Sequence, residues 1–224
     1  MSTSLLRPVA PGVYAAEAPQ KFYGLEVGAR MTVLELAGGL LVHSPLALDP
    51  GSVAHLGEPR WVVAPNLFHH LHAGPWIEAG VEAWAAPGLP AKRPDLAFAG
   101  TLAPGRQPFG GEVAVLPLTC LPLTNEVAVL HRPSRTLVVT DLLFNFSTAM
   151  PWATRTAMRG LCGYPGCRAT LVERLAMRRR EGRAQLAELA QWDFDRLIMS
   201  HGQIVETGGK EAFLSAFRWL LRSP

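Results

Sequence analysis

Short apolar runs, each bounded by glycine, proline or polar residues, recur along the chain. Runs of about four to eight residues of this kind are typical of buried strands. They predict strands over residues 31–37, 40–43, 61–64, 81–86, 112–118, 126–131, 136–141 and 196–200. The pair Gly38-Gly39 between the first two runs predicts a hairpin turn.

Apolar residues at helical spacing appear mainly in the last third of the chain. Residues 168–192 follow this spacing and predict one or two helices, with Gly182 as a break or kink. Pro50 after Asp49 predicts a short helix, because proline is tolerated in the first helical turn. The remaining predicted helices cover residues 73–80 and 208–221, and residues 87–109 are rich in proline and glycine and predict a loop.

Two strand-rich halves with helices between them and at the end of the chain predict an α/β fold. A sheet must bury its apolar faces, so two sheets would pack together and carry the helices outside. We therefore expect a four-layer αβ/βα sandwich. At 224 residues the chain has the length of one large domain, and we expect a single domain over residues 1–224.

The composition excludes several classes of protein. Apolar residues make up 49% of the chain and charged residues only 17%, which excludes a disordered chain and a coiled coil. No apolar stretch reaches the roughly 18–20 residues of a membrane span, and the first 14 residues lack a secretion-signal pattern. We therefore expect a cytoplasmic location and no membrane partner. No phosphate-binding glycine loop is present, which disfavours a nucleotide-binding enzyme.

Cysteine and arginine each leave a choice open. The three cysteines are an odd number and predict reduced thiols; Cys162 and Cys167 are consistent with a zinc knuckle or, more simply, with a turn between them. Residues 151–183 hold eight arginines and two glutamates, a local net charge of +6. This segment would attract phosphates or form the solvated face of surface helices. We favour the second interpretation and expect no nucleic-acid partner.

Polar residues with metal-binding chemistry gather at the ends of predicted strands. His43, Asp141 and His201 each end a strand, and His69 and His70 lie in the loop after another. A histidine or aspartate at a strand end often only caps the chain. The coincidence of five such residues indicates a site, because strand ends fix side chains that point into a crevice.

These residues, in this order, resemble the metallo-β-lactamase fold superfamily of metal-dependent hydrolases. Residues 138–144 (Val-Val-Thr-Asp-Leu-Leu-Phe) are similar to its segment with a metal-bridging aspartate, and Ser200-His201-Gly202 is similar to its last histidine turn. Residues 42–45, 65–70, 86–89 and 92–96 further resemble a divergent branch of the superfamily with no assigned activity. The resemblance spans about residues 30–205 and implies the same four-layer sandwich.

The first metal-binding loop departs from the family pattern His-x-His-x-Asp-His. In the register that we favour, Pro65 and Leu67 take the two early histidine positions, and His69 and His70 take the Asp-His pair. A shifted register keeps His70-x-His72 and places Gly74 and Pro75 on that pair. The middle histidine is also missing, because residues 121–124 (Leu-Pro-Leu-Thr) stand where the family has Gly-His-Thr.

The resemblance therefore implies a site for one metal ion. The expected ligands are His69, His70, Asp141 and His201, a donor set that suits Zn²⁺ or another divalent transition metal. Asp141 and His201 are the expected catalytic residues, and supporting or substrate-contacting roles fall to His43, His72 and Asn66.

The expected function is hydrolysis of a small ester, thioester or phosphoester, with a small-molecule substrate as partner and homodimer formation left open. The alternative is a degenerate member without metal that binds a ligand or partner in the same crevice. In that case His69 donates to a backbone carbonyl and Asp141 caps a loop amide.

Overall fold

Strands that are buried on both faces form the centre of the molecule. The structure is a computed structural model and describes residues 6–103, 106 and 108–221. Its strands, in chain order, are β1 (Arg7–Ala10), β2 (Val13–Ala18), β3 (Lys21–Phe22), β4 (Leu25–Glu26), β5 (Ala29–Leu36), β6 (Gly39–His43), β7 (Pro59–Ala64), β8 (Glu82–Ala85), β9 (Gly100–Thr101), β10 (Val113–Leu118), β11 (Glu126–His131), β12 (Thr136–Val138), β13 (Phe144–Phe146), β14 (Gly166–Arg168) and β15 (Arg196–Ile198).

The helices lie mainly in the second half of the chain. In chain order they are α1 (Gly74–Glu78), α2 (Leu89–Lys92), α3 (Trp152–Gly160), α4 (Leu171–Ala176), α5 (Arg179–Gln191), α6 (Gly209–Ala216) and α7 (Arg218–Leu221). A 3₁₀ turn over Pro50–Val53 is capped by the Asp49 carboxylate, which accepts from the Gly51 N–H. None of the helices in the described residues has both the length and the apolar character needed to cross a membrane.

Two main sheets carry the fold. The first has the strand order β1-β2-β5-β6-β7-β8-β9, and the second has the order β10-β11-β12-β15. Strands β5 and β6 form the expected antiparallel hairpin, whereas β6, β7, β8 and β9 run parallel to one another. In the second sheet β12 and β15 are parallel. Parallel neighbours bring their carboxyl ends to the same edge of their sheet, so the loops after β12 and β15 lie together in the second sheet, and the loop after β7 lies beside its parallel neighbours in the first.

Alternating side chains on the central strands divide the core into three layers. Leu34 and Leu41 face the second sheet, whereas Val33 and Val42 face the helical layer outside the first sheet. The outer face of the second sheet packs against α5, α6 and α7. The expected four-layer sandwich is therefore confirmed.

Several details differ from the sequence-based expectations. Hydrophobic patterning missed the strands before residue 29, and the expected loop 87–109 contains α2 and β9, with residues 104, 105 and 107 outside the described residues. The expected helix break at Gly182 was wrong, because α5 runs through it and the break lies at Met177 and Arg178. A Cβ at Gly182 would lie 2.6 Å from the Met177 sulfur, so this glycine allows a close approach within the helical layer.

Candidate metal centre

The loop after β7 is shaped by the side chain of Asn66. Its Oδ1 accepts hydrogen bonds from the backbone N–H groups of Phe68 (2.8 Å) and His69 (2.7 Å), so the chain turns sharply after the strand. Its Nδ2 donates to Oδ2 of Asp141 (2.7 Å) and to Oγ1 of Thr140 (3.0 Å). Asn66 therefore joins the histidine loop to the loop that carries the aspartate.

The aspartate loop is held by Glu126, the first residue of β11. Its carboxylate accepts from the backbone N–H groups of Thr140 (2.6 Å), Asp141 (2.7 Å) and Leu142 (2.8 Å). Glu126 is fully buried, and this burial, together with the nearby charge of Asp141, raises its pKa to about 8. The three N–H donors act in the opposite direction and stabilise the charged form. Glu126 thus fixes the backbone from which Asp141 projects.

His201 follows β15 and is fixed on two sides. Its Nδ1 donates to the carbonyl of Gly28 (2.6 Å), so a neutral His201 carries its lone pair on Nε2. The Phe144 ring stacks on the imidazole with a centroid distance of 5.7 Å and an interplanar angle of 13°. Its ring orientation is therefore set before any ligand arrives.

The turn around His201 depends on a buried arginine and a glycine. The Arg30 guanidinium donates to the carbonyls of Met199 and Gly202, and it is paired with Glu17 at 2.9 Å. Gly202 has a φ of 87°, and a Cβ there would lie 2.2 Å from the carbonyl oxygen of Asn145. Only glycine fits this position without moving the neighbouring backbone.

Three of the expected ligands converge. Oδ1 of Asp141 lies 3.4 Å from Nε2 of His69 and 3.2 Å from Nε2 of His201. One ligand atom from each of the three residues lies within 4.8 Å of the others. The three side chains are only 10–13% exposed. They form one compact, partly shielded cluster.

The donor set fits a divalent transition metal. A tetrahedral ion with ligand bonds of about 2.0–2.1 Å separates its ligands by roughly 3.4 Å, close to both N···O distances in the cluster. Nδ1 of His69 is hydrogen-bonded to Oγ of Ser44 (2.8 Å), so the outer nitrogens of both histidines have partners and the inner ones face Asp141. Metal-ligating histidines usually show this arrangement.

The charge of Asp141 is stabilised by its neighbours. Burial by itself would raise the pKa of Asp141, but His69 and His201 outweigh that effect and hold the pKa well below its usual range. Asp141 is therefore ionised across the physiological pH range, as a metal ligand must be.

His70 lies apart from this cluster. Its Nδ1 accepts from Nη1 of Arg93 (2.9 Å), and Arg93 is also paired with Asp95 through both carboxylate oxygens. Burial and the charges of Arg93 and Lys92 lower the pKa of His70. The structure thus turns His69 towards Asp141 and His70 towards the end of α2, so His70 lies outside the cluster that the other three expected ligands form.

The other expected supporting residues take different places. His43 is fully buried near His69, its Nε2 has no hydrogen-bond partner among the described residues, and burial lowers its pKa to about 3. His72 is half-buried, which lowers its pKa, and it does not join the cluster. Asn66 has the most direct role of the three.

Sequence reasoning missed Ser44, Glu126, Arg30 and Gly28. Glu126 gave a signal, because a lone carboxylate in the otherwise apolar run of β11 must be satisfied when buried. Ser44 lies beside His43 with a φ of 55°, a backbone conformation that sequence patterns do not reveal. No group of metal-binding side chains in the described residues includes Cys162 or Cys167, so the zinc-knuckle alternative has no support there.

The arginine-rich segment divides in two. Thr154 of α3 donates to the carbonyl of Glu26, which places α3 beside the β3–β4 hairpin that precedes Gly28. Leu186 and Leu189 of α5 pack on the outer face of the second sheet.

Comparison with known proteins identifies the architecture. No protein-family model and no curated protein matches the sequence. The structure is similar over 100% of both chains to a metallo-β-lactamase from Pontibacter korlensis, with 12% identity and a TM-score of 0.68. It is similar to the metallo-β-lactamase FIM-1 from Pseudomonas aeruginosa in its mono-zinc form, with 13% identity, 99% and 96% of the chains covered and a TM-score of 0.65. The chain has the metallo-β-lactamase fold.

A third solved structure shares this fold. A metal-soaked Flv1 flavodiiron core from Synechocystis matches 98% of this chain and 62% of its own length, with 14% identity and a TM-score of 0.66. In this metallo-β-lactamase-fold protein, two of the three cluster residues, Asp141 and His201, lie on the two segments whose sequence resembles the family. At such identities the likeness establishes the fold, and the chemistry must be argued from the cluster itself.

Proposed function

We propose that this protein is a metal-dependent hydrolase with one divalent transition-metal ion, such as Zn²⁺, held by His69, Asp141 and His201. The convergence of their three ligand atoms within 4.8 Å carries this proposal. Three protein ligands are typical of catalytic metal sites, because they leave a coordination position for water or substrate.

The contacts around the cluster support a preformed site. Asp141 is oriented by Asn66 through its second oxygen, while Ser44 and Gly28 hold the outer nitrogens of the two histidines. These side chains are therefore held in position, and little ordering is required when an ion binds. When bound, the ion supplies Lewis acidity, which polarises a substrate oxygen and lowers the pKa of water.

The substrate that we propose is a small ester, thioester or phosphoester. An open groove of about 480 Å³ lies beside the His201 turn, with Gly28, Ser200 and Gly202 in its wall. None of the three metal-binding side chains lines the groove, so a substrate lying in it would reach the cluster only from the side of the His201 turn. Arg30 also lines the groove and anchors this turn by donating to the Met199 carbonyl.

Metal content and activity test this function together. The protein is purified without chelator, reloaded with Zn²⁺, Mn²⁺ or Fe²⁺, and assayed by elemental analysis and with chromogenic acetate, thioester and phosphodiester substrates. We expect about one equivalent of metal and turnover that chelation removes and metal restores. The His201→Ala variant should lose both metal and turnover.

Two outcomes would contradict the proposal. Less than about 0.2 equivalents of any of these metals after reloading would exclude the metal site and leave the crevice as a ligand-binding site. Full metal occupancy without turnover of any ester, thioester or phosphoester would exclude the hydrolase while retaining the metal centre.

A further inference from the structure

Exposed large apolar side chains are unevenly distributed over the molecule. Single exposed apolar residues are normal, but a gathering of them marks an interaction surface. Nine of the ten in the described residues lie on segments that are linked by chain position or hydrogen bonds to the metal cluster, and we call these nine the apolar rim: Phe22, Tyr23, Phe68, Leu71, Leu123, Trp152, Leu171, Val172 and Leu175. The tenth, Leu214, lies on α6, which packs at the start of β15 through the Gly209 N–H and the Asp195 carbonyl.

The first group of the rim surrounds His69. Phe68 and Leu71 flank this histidine in the loop after β7 and are 48% and 65% exposed. Leu123 belongs to the same group because its neighbour Thr124 accepts, through the backbone carbonyl, a hydrogen bond from the N–H of Leu67 (2.9 Å).

The second group lies beside His201. Gly28, whose carbonyl accepts from His201, follows the β3–β4 hairpin, and Phe22 and Tyr23 lie at the turn of that hairpin. Tyr23 is 91% exposed. Trp152 begins α3, which packs on the same hairpin through the Thr154 hydroxyl.

The third group lies on α4, near Asp141. Leu171, Val172 and Leu175 are exposed on this helix, which has no buried residue. The helix begins three residues after the end of β14, and Arg168 of β14 pairs with Phe144 of β13, which follows Asp141 by three residues and stacks on His201. Each of the three groups of the rim is thus linked through a neighbouring segment to the cluster.

Positive charge accompanies the rim. The segment 151–183, which contains α3 and α4, carries a net charge of +6. Of its eight arginines, Arg178 is the one with a carboxylate partner in the described part of the chain, and that pair with Glu181 is half-exposed. Arg179 and Arg180 are exposed at the first turn of α5, three residues after the end of α4, whereas the later part of α5 packs on the second sheet. The face therefore combines protruding apolar side chains with uncompensated guanidinium groups.

We propose that this face docks the protein on an anionic lipid surface. Aromatic and aliphatic side chains enter the boundary between headgroups and acyl chains, while arginines attract the anionic headgroups. The expectation of no membrane partner rested on the lack of a spanning segment, and surface docking needs none. Docking also needs no metal, so it stands apart from the proposed hydrolysis.

The charge argues against a second copy of the chain on this face. A symmetric dimer would place two segments of +6 opposite each other, and like charges in an interface are repulsive. The exposure of Tyr23 (91%) and Leu175 (80%) also disfavours a groove for a single acyl chain, because a groove would shield the side chains that line it.

Co-sedimentation of the full chain with lipid vesicles tests the docking. We expect binding to phosphatidylcholine vesicles that contain about 30% phosphatidylserine, weaker binding to phosphatidylcholine alone, and loss of binding as salt rises. The Tyr23→Ser, Leu175→Ser and Arg179→Ala/Arg180→Ala variants should each weaken binding about fivefold or more. The control is Leu214→Ser, which changes an exposed leucine outside the rim, and it should bind like the wild type.

The overturning results are distinct from a failure of the metal site. The proposal would be overturned by no binding to anionic vesicles, or by wild-type binding of the Tyr23→Ser, Leu175→Ser and Arg179→Ala/Arg180→Ala variants alike. A dimer in sedimentation equilibrium that Leu175→Ser dissociates would assign the rim to self-association instead. Metal content is measured in the same variants and should stay unchanged, so the two proposals fail independently.

Discussion

The crevice has two halves with opposite character. In the ligand half, His69, Asp141 and His201 converge and each is held by a partner outside the cluster. In the closed half, where the family resemblance places further histidines, the N–H of Leu67 is bonded to the carbonyl of Thr124 at 2.9 Å. In this half a backbone hydrogen bond joins the two loops at the positions where the family has metal-binding histidines.

The difference teaches how a metal site is kept or lost. The ligand half retains its outer hydrogen bonds together with its donor atoms. The closed half is satisfied without any ion, because Leu121 is buried there and the loop amides pair with each other. We therefore expect one ion, and five substitutions or conditions test this contrast, in order of decreasing effect.

Removal of a ligand should have the largest effect. Asp141→Ala removes the only carboxylate of the cluster in the described residues, and we expect more than about a 100-fold loss of Zn²⁺ affinity, beyond what supporting residues typically contribute. Titration against a chromophoric chelator measures the change. A Zn²⁺ affinity of Asp141→Ala within about threefold of the wild type would show that the ligand half does not bind the ion through Asp141.

Glu126→Gln should destabilise the fold by about 3 kcal/mol. The amide cannot accept all three backbone N–H groups, so at least one buried donor loses its partner. Urea unfolding measures the effect. The control is Glu112→Gln, since Glu112 accepts a single N–H from Ala37 at an exposed position and its loss should cost less than about 1 kcal/mol. Equal costs for the two variants would show that Glu126 has no special role in holding the Asp141 loop.

Asn66→Ala should weaken Zn²⁺ binding about 10- to 100-fold while leaving the three ligands in place. Outer hydrogen bonds to metal ligands typically contribute this much, and Asn66 is the residue that orients Oδ2 of Asp141. Chelator competition at fixed pH measures the affinity, and thermal unfolding of the metal-free variant reports any change of fold. A loss of stability without a loss of Zn²⁺ affinity would show that Asn66 stabilises the loop but does not orient Asp141 for metal binding.

His43 should make the metal-free protein sensitive to acid. Its pKa is lowered by burial to about 3, whereas an exposed histidine titrates near 6.5, so its stabilising contribution is complete above about pH 6.5 and is lost as the pH falls towards 3. Between pH 7 and pH 5 we expect a loss of about 2 kcal/mol that His43→Leu lacks. Urea unfolding at both pH values measures it; parallel losses in the two proteins would contradict the prediction.

His70→Ala should have the smallest effect on metal binding. Because its Nδ1 is bonded to Arg93 and not directed at Asp141, we expect Zn²⁺ affinity within about twofold of the wild type. The adjacent variant His69→Ala is the matched comparison and should lose most of the affinity. A large loss in His70→Ala would return His70 to the ligand set.

The sequence by itself determined the layers and the two family-like segments. Runs such as 40–42 and 61–64 are short, apolar at successive positions and bounded by glycine or proline, which is typical of strands buried on both faces, so the sandwich followed from local pattern. Asp141 and His201 stand directly after such runs, and strand ends are fixed points of a sheet. The short N-terminal strands lacked a comparably long apolar run and were missed.

Only the tertiary structure decided which neighbouring histidine enters the site. His69 and His70 are adjacent in a loop without periodicity, so no local pattern gives the directions of their side chains. Ser44 and Arg93 fix these directions, and they lie 25 and 23 positions from the histidines that they contact. The role of Glu126 likewise depends on a loop 14–16 residues away. Side-chain direction in a loop is set by long-range hydrogen bonds, which form only once the sheets have packed.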